Sequence, residues 1–373
     1  MRAATRFHLL FVPAALLATG CDESSLPHEP IPLEAENPVT QHVPAQVTGP
    51  VRWADGYLLQ GNPLRDSSDL TGGGLVFNRA GGAVIVTKPA GTTGRYIARF
   101  SGLSAILGPR STVHVTQYGL GADLYCNPVT PRLVNDKVEV RCFKSSTRAP
   151  ANAAFTVLVS GKYDDRAFAY ANQPTGTDYS PAAAGSWNPA GTSRIHRDGT
   201  GRYRVVFSGL GALLPVGVGG HVQVNAAGTS KAHCKAQEFG GSPTLTVQVQ
   251  CYTPAGAPVD SKFTAFVALP AAHLAYAWGD RPTALSYSPF EAYTSNPSGG
   301  TVYIARTGPG DYKVMWSGVD AEIVETGNLQ VTAYGPGNAQ CKAYDVGDEF
   351  AIVRCFGPNG EPVDSYYMVL LGS

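Results

Sequence analysis

The sequence predicts an all-β protein in which three tandem antiparallel β-sandwich-like repeat domains follow a signal peptide and a disordered proline-rich tether. The 373 residues include 43 Gly, 28 Pro and 18 Tyr, a composition typical of short strands joined by many turns. Similar segments recur with a period of roughly 105 residues. Within each segment apolar and polar residues often alternate, as in strands with one buried face.

Residues 1–20 are predicted to be a signal peptide. Arg2 and Arg6 give a positive start, and the apolar run over residues 7–18 is too short to span a bilayer stably. The end of this segment, "LATGC", resembles the lipobox of bacterial lipoproteins, with Ala18 where Leu is usual. The resemblance implies cleavage before Cys21, acylation of its thiol, and thus a membrane partner. An ordinary secretory signal with an incidental Cys is the alternative.

Residues 21–50 are predicted to form the lipidated N-terminus and a flexible tether. Six prolines lie here among acidic and polar residues, and proline-rich chains favour an extended conformation. Asp22 resembles an inner-membrane retention signal of some bacteria, a rule that does not transfer to every bacterium. We expect a lipid anchor in the cell envelope, at the outer membrane or cell surface rather than the inner membrane.

The repeats are predicted to span residues 51–162, 163–270 and 271–373, and are called here the first, second and third segments. The first is the most diverged, but "VHVTQYG" corresponds in it to "HVQVNAAG" in the second and "LQVTAYG" in the third. These repeats look like tandem β-sandwich repeats of secreted and cell-surface bacterial proteins. That resemblance implies an architecture and carries no activity.

Alternation also predicts which side chains are buried. One strand in each segment should turn its aromatic face to the core; these faces are Tyr96, Ala98 and Phe100; Tyr203, Val205 and Phe207; and Tyr312, Val314 and Trp316. His114 and His221 lie in or beside alternating stretches and are predicted to be strand-surface or edge residues.

Seven cysteines are an odd number, which the lipidation of Cys21 explains. The other six predict three local disulfides, and an oxidising compartment lets such bonds persist. The predicted pairs are Cys126 with Cys142, Cys234 with Cys251, and Cys341 with Cys355. Their spacing does not fit a metal site.

Two related stretches could indicate either chemistry or architecture. "CYTPAGAPVDS" at residues 251–261 returns as "CFGPNGEPVDS" at residues 355–365, but the first segment has Asn152 and Ala153 where these end in Asp-Ser. The pair is therefore not required by the repeat. Short polar side chains after a turn often bind nearby backbone groups, so we predict corners rather than nucleophiles.

We predict no enzyme, no cofactor and no metal, because the chain lacks the common nucleophile, zinc and phosphate-binding motifs. Three alternatives stay open. His196 with His233 could form a composite metal site or serve a hydrolase in one diverged repeat, and the acidic loops could bind calcium. Those loops contain Asp164, Asp165, Asp320, Glu322, Glu325, Asp345, Asp348 and Glu349.

Aromatic residues outside the repeated core positions are the candidate ligand-binding residues. Trp53, Trp187 and Trp278 are predicted to lie in or beside loops that differ between the segments, and Tyr334 would widen such a surface. The alternative is that each Trp plugs the end of its own sandwich or a seam between domains. The 28 basic and 28 acidic residues balance, which argues against a nucleic-acid partner.

The predicted function is that of a non-enzymatic envelope lipoprotein whose β modules serve as surface spacer and as a protein-binding, ligand-binding or adhesion unit. The alternative is a carbohydrate-binding or cell-wall-binding protein. The expected partners are the membrane, through Cys21, and an envelope protein or polysaccharide.

Overall fold

The computed structural model describes residues 54–60, 67–69, 76–121, 123–319, 323, 327–347 and 349–372. The predicted signal peptide and tether, with Cys21, lie outside the described residues, as does Trp53. The described residues form one compact unit. The regular secondary structure of this unit is almost entirely antiparallel β-sheet, so the all-β prediction is confirmed.

The first segment contains a series of strands and one short helix, α1 (Leu103–Leu107). Its strands are β1 (Gly56–Gln60), β2 (Ser67–Asp69), β3 (Val76–Asn78), β4 (Val84–Thr87), β5 (Arg95–Phe100), β6 (Thr112–Tyr118), β7 (Leu124–Pro128), β8 (Lys137–Lys144), β9 (Ala149–Pro150) and β10 (Ala154–Ser160).

The second segment has the same general order, with short 3₁₀ turns at Ala183–Gly185 and Leu210–Leu213. Its strands are β11 (Arg166–Ala171), β12 (Asp178–Tyr179), β13 (Ser186–Trp187), β14 (Ser193–Gly199), β15 (Arg202–Phe207), β16 (His221–Ala226), β17 (His233–Gly240), β18 (Leu245–Tyr252) and β19 (Phe263–Ala268).

The third segment includes a 3₁₀ turn at Glu291–Tyr293. Its strands are β20 (Leu274–Gly279), β21 (Ser286–Tyr287), β22 (Val302–Gly308), β23 (Asp311–Trp316), β24 (Asn328–Tyr334), β25 (Gln340–Gly347), β26 (Phe350–Phe356) and β27 (Tyr366–Gly372).

Each segment contributes an outer and an inner group of strands. The outer groups run β4-β5-β8-β7, β14-β15-β18-β17 and β22-β23-β26-β25. The inner groups run β1-β10-β6, β11-β19-β16 and β20-β27-β24. The strands of an outer group alternate between buried and solvent-facing residues, as in β15 and β23, so one face covers a core and the other meets water.

The predicted aromatic faces lie in these cores. Tyr203, Val205 and Phe207 are at most 1% exposed. They pack with residues of the inner group of the same segment, such as Val222 on β16 and Phe263 on β19. The corresponding faces of β5 and β23 are equally buried. The prediction of these core residues is therefore confirmed.

Sheets continue from one segment into another. β25 pairs in parallel with β6, where Ala343 lies opposite Tyr118, and β17 pairs in parallel with β24, where Ala236 lies opposite Tyr334. At the third junction the backbone N–H of Gly228 donates to Pro128 O at 3.1 Å. Matching bonds from Gly119 and Gly335 close the other two junctions at 3.1 and 3.0 Å.

Side chains of β6, β16 and β24, called here the inner strands, form hydrogen bonds with the backbone of a neighbouring inner strand in a closed cycle. Val331 N–H donates to Thr116 Oγ1 at 3.0 Å, Thr332 Oγ1 donates to Val224 O at 3.1 Å, and Val115 N–H donates to Asn225 Oδ1 at 2.9 Å. The first of these bonds joins the first and third segments, the second joins the third and second, and the third joins the second and first. The three segments thus interlock in one body.

Candidate functional site

The Asp-Ser pairs lie at corners of the fold, where the last strand of a segment begins. Asp260 accepts two hydrogen bonds from the guanidinium of Arg197, one from Gly201 N–H at 2.8 Å and one from Tyr203 Oη at 3.1 Å. Ser261 Oγ donates to the carbonyl of Lys262 at 3.0 Å. Both polar groups therefore have local structural partners.

The third segment repeats this corner. Asp364 accepts from Arg306 at 2.8 and 2.9 Å and from Gly310 N–H at 2.8 Å, and Ser365 Oγ donates to Tyr366 O. In both segments the arginine lowers the pKa of the aspartate, which burial alone would raise.

The first segment forms the corner without a carboxylate. Asn152 Oδ1 accepts from Gly94 N–H at 2.9 Å, and Ala153 N–H donates to Tyr96 Oη at 3.2 Å. Gly94 has φ of +64°, and a Cβ there would lie 2.4 Å from Cys142 O, so the turn requires glycine. The architectural reading of the pair agrees with these contacts.

The six predicted cysteines form the three predicted disulfides. Cys126–Cys142, Cys234–Cys251 and Cys341–Cys355 each join directly paired residues of neighbouring strands, with Cα atoms 4.0 Å apart. These pairings are confirmed. Disulfides of this kind indicate an oxidising extracellular or envelope compartment.

The prediction that His114 and His221 are exposed on the strand surface is wrong, although His221 does lie on the end strand of its sheet. Both are 0% exposed and lie on the inner strands, because the polar faces of those strands meet the neighbouring segments rather than water. His114 Nε2 lies 3.1 Å from Thr112 Oγ1, and His221 Nε2 lies 2.9 Å from Gln223 Nε2. Burial lowers the pKa of each imidazole to about 3, so both are neutral at ordinary pH.

A small cavity of about 50 Å³ lies where the inner strands meet β7, β17 and β25, and one cysteine of each disulfide lines it. It falls well below the ~300 Å³ of the smallest typical ligand pockets. Three side chains at corresponding positions secure the junctions around it. Asn127 Nδ2 donates to Ala232 O at 2.7 Å, Lys235 Nζ to Pro336 O at 3.0 Å, and Lys342 Nζ to Gly119 O at 2.8 Å.

Trp187, a candidate ligand-binding residue, is half-buried at a seam. Its indole N–H donates to Tyr163 O at 2.8 Å, and Lys162 Nζ lies 5.6 Å from the ring centroid. The ring packs against a central apolar cluster to which all three segments contribute, including Phe168 and Tyr276.

The structure brings two other candidates together. The rings of Trp278 and Tyr334 lie edge to face with centroids 5.4 Å apart, and Tyr293 meets Trp278 at 5.4 Å as well. Tyr334 is 8% exposed and accepts a hydrogen bond from Phe239 N–H. All but Phe239 belong to the third segment, yet they pack on the core of the second. A ligand-binding role for Trp187, Trp278, Tyr334 and Trp53 stays a prediction.

A groove of about 400 Å³ on the outer face of β22, β23 and β26 is the larger candidate site, called here the outer groove. Its lining is Thr301, Tyr303, Lys313, Met315, Ser317, Glu349 and Phe350. This volume lies within the range of ligand pockets. Tyr303, Met315 and Phe350 lie directly opposite one another across the three strands and form an apolar row, with Tyr303 39% exposed.

Polar groups flank this row on both sides. Lys313 Nζ lies 4.1 Å from the centroid of the Phe350 ring, a cation–π contact. Glu349 Oε1 accepts from Gly318 N–H at 2.6 Å, which fixes the carboxylate beside Ser317 and Thr301. The groove therefore offers an apolar floor between a cation and an anion.

Sequence reasoning missed the outer groove. The signal was available in the alternation, because Tyr303, Met315 and Phe350 occupy solvent-facing positions. At the matching row of the second segment stand Arg194, Val206 and Thr246, and in the first Ile85, Arg99 and Lys137. An aromatic pair at outward positions of one segment alone is the feature that marks the site.

The remaining candidates for chemistry have separate surroundings. His196 Nδ1 lies 3.3 Å from Asp178, whereas buried His233 contacts Asn338 O and stacks on Tyr252. Within the ranges that the structure describes, no three His, Cys, Asp or Glu side chains are grouped to hold a metal. Asp320, Glu322, Glu325 and Asp348 lie outside those ranges.

Among the described residues no helix is both long and apolar enough to cross a membrane. The fold and the three disulfides define an all-β protein of an oxidising compartment, with a groove of ligand size on the outer strands of the third segment. Compared with protein families, characterised proteins and solved structures, the chain shows no significant match.

Proposed function

We propose that the protein is a non-enzymatic lipoprotein of the bacterial cell envelope that binds an envelope component through the outer groove. The lipobox-like "LATGC" and the proline-rich residues 21–50 support the anchor. The disulfides support export, because such bonds persist outside the reducing cytoplasm.

The groove is the observation that carries the binding role. Its row of Tyr303, Met315 and Phe350 leaves apolar surface open to solvent, whereas each matching row of the other two segments has one apolar residue, Val206 or Ile85, between or beside polar ones. An apolar floor with a few placed polar groups is the usual form of a binding site. The sheet under the groove continues from the third segment into the first through β25 and β6.

The hydrolase alternative has no comparable support among the described contacts, because His196 and His233 contact separate partners, Asp178 and Asn338. The hydroxyls of Ser261 and Ser365 donate to backbone carbonyls, and the neighbouring carboxylates bind arginines. In this proposal the proline-rich tether, and not the three segments, acts as the spacer from the membrane, because the segments bond to one another in a closed cycle.

Crosslinking in the native envelope tests the proposal. A photo-crosslinking amino acid at position 303 should capture a specific envelope component, while the same group at Arg194, the matching row of the second segment, should not. Equal capture at both positions, or none at 303, would reject the groove as the binding site. A Cys21→Ser variant that still partitions into detergent like the parent would reject the lipid anchor.

A further inference from the structure

The outer groove has features that narrow its ligand beyond an envelope component. Lys313 and Glu349 give it one positive and one negative group. Their charges cancel, so the groove has no field that favours an anionic or a cationic ligand. This argues for a neutral ligand that carries many hydrogen-bonding groups.

The floor is suited to a ring with one apolar face. Tyr303 and Phe350 stand two strands apart in the same row, which places them ~10 Å from each other at the usual strand spacing. Met315 fills the space between them. A pyranose presents axial C–H bonds on its face and hydroxyls around its rim, so two sugar rings could lie on the row while their hydroxyls reach the polar flanks.

The polar flanks offer both kinds of partner that sugar hydroxyls need. Glu349 provides an acceptor, Lys313 a donor, and Thr301 and Ser317 provide hydroxyls that do both. Thr301, Ser317 and Glu349 are exposed, so a ligand can reach them without any rearrangement of the strands.

We propose that the outer groove binds a neutral β-linked pyranose chain, which crosses β22, β23 and β26 over the row Tyr303–Met315–Phe350. A β-1,4-linked chain is a flat ribbon, and it matches a row of side chains that projects from one sheet face. An α-1,4-linked chain curves and would contact fewer members of the row. This inference rests on the proposed function, because it names the ligand class of the same groove.

The test is calorimetric titration of the mature protein with three defined oligosaccharides: cellohexaose, chitohexaose and, as the curved control, maltohexaose. We expect at least one β-linked chain to bind with a Kd in the millimolar range or tighter and maltohexaose to bind at least about tenfold more weakly. Tyr303→Ala and Phe350→Ala should each weaken binding by about tenfold, since the first removes the exposed ring and the second removes the part of the apolar floor that Lys313 also contacts.

Arg194→Ala is the matched control, because it removes an outward residue from the corresponding row of the second segment. It should leave binding unchanged. The circular dichroism spectrum and unfolding midpoint of each variant show whether the fold is intact. Tyr303→Phe should retain most of the affinity, because it keeps the aromatic ring that stacks on the sugar.

Three outcomes would overturn the inference: no binding of any oligosaccharide at millimolar concentration, equal binding of maltohexaose, or binding that survives both alanine variants. These outcomes are distinguishable from failure of the proposed function. A protein captured by crosslinking at position 303, with no oligosaccharide binding, would keep the groove as a binding site and reject its ligand class.

Discussion

Asp260 and Arg197 form a two-bonded ion pair, with Nε and one terminal nitrogen 2.9 and 2.8 Å from the two carboxylate oxygens. The same carboxylate accepts from Gly201 N–H and Tyr203 Oη. The Asp260 side chain thus binds β14, β15 and the turn between them, just before β19 begins.

Two substitutions of Asp260 should distinguish the contribution of the Arg197 ion pair to stability from that of the hydrogen bond with Gly201 N–H. Asp260→Asn keeps an acceptor for Gly201 N–H, as Asn152 does in the first segment, and should lower the free energy of unfolding by about 1 kcal/mol. Asp260→Ala leaves the N–H and Tyr203 without that partner and should cost about 2–3 kcal/mol. Urea unfolding measures both. Asp198→Asn, in the exposed pair with Arg204, is the control and should change little; equal costs for Asn and Ala at 260 would contradict this account.

The buried His114 should make stability depend on pH. Its pKa falls from 6.5 to about 3 on folding, so between these values the unfolded chain holds a proton that the folded protein does not. Stability therefore falls as the pH falls through this window, by about 1.4 kcal/mol per pH unit for this group.

His114→Gln tests that dependence, since Gln223 and Gln330 occupy the matching positions of the other inner strands. The slope of the unfolding free energy between about pH 4 and pH 6 should decrease by the contribution of one proton. The measurement is chemical unfolding at a series of pH values. An unchanged slope in the variant would show that His114 does not titrate on unfolding.

Each disulfide should stabilise the fold through the unfolded chain. Cys234 and Cys251 enclose a sequence separation of 17 residues, and a loop of this size predicts about 3 kcal/mol. The Cys234→Ser, Cys251→Ser double variant should lose about that much in urea unfolding. The matching pair at Cys341 and Cys355, with a separation of 14, should lose a similar amount; a loss near zero for both would mean that strand pairing alone holds these strands.

The closed cycle of contacts predicts cooperative unfolding. Because the bonds of Thr116, Asn225 and Thr332 each cross a segment boundary, residues 41–373 should unfold in one calorimetric transition. Residues 163–270 expressed alone should fail to give a folded monomer, since the polar face of β16 would lose its partners. Three separate transitions, or a stable isolated second segment, would contradict this expectation.

The sequence predicts well what depends on local pattern. Alternation identifies Tyr203, Val205 and Phe207 as core, and the odd cysteine count with regular spacing identifies the three disulfides. The substitution of Asn152 and Ala153 for Asp-Ser is enough to recognise the corner as architecture. The repeat relationship itself stays a prediction from the sequence.

What failed depends on how the segments meet. "HVQVNAAG" has the alternation of a strand with one wet face, yet Gln223 is 1% exposed and His221 0%, because the polar face of each inner strand is covered by two others. From the sequence, Trp278 is predicted to lie in or beside a loop of the third segment, but its ring packs on the core of the second segment. The alternation of apolar and polar residues within one segment does not show which of its faces another segment covers.

The three glycine bonds at Gly119, Gly228 and Gly335 have a consequence for how such a chain can change. Within the described residues, each junction joins the outer group of one segment to the inner strand of another, through β25 and β6, β17 and β24, and β7 and β16. A further copy could therefore not join in the same way without opening one of these three junctions. Substitutions on the outward rows, where the three segments already differ, leave the junctions undisturbed.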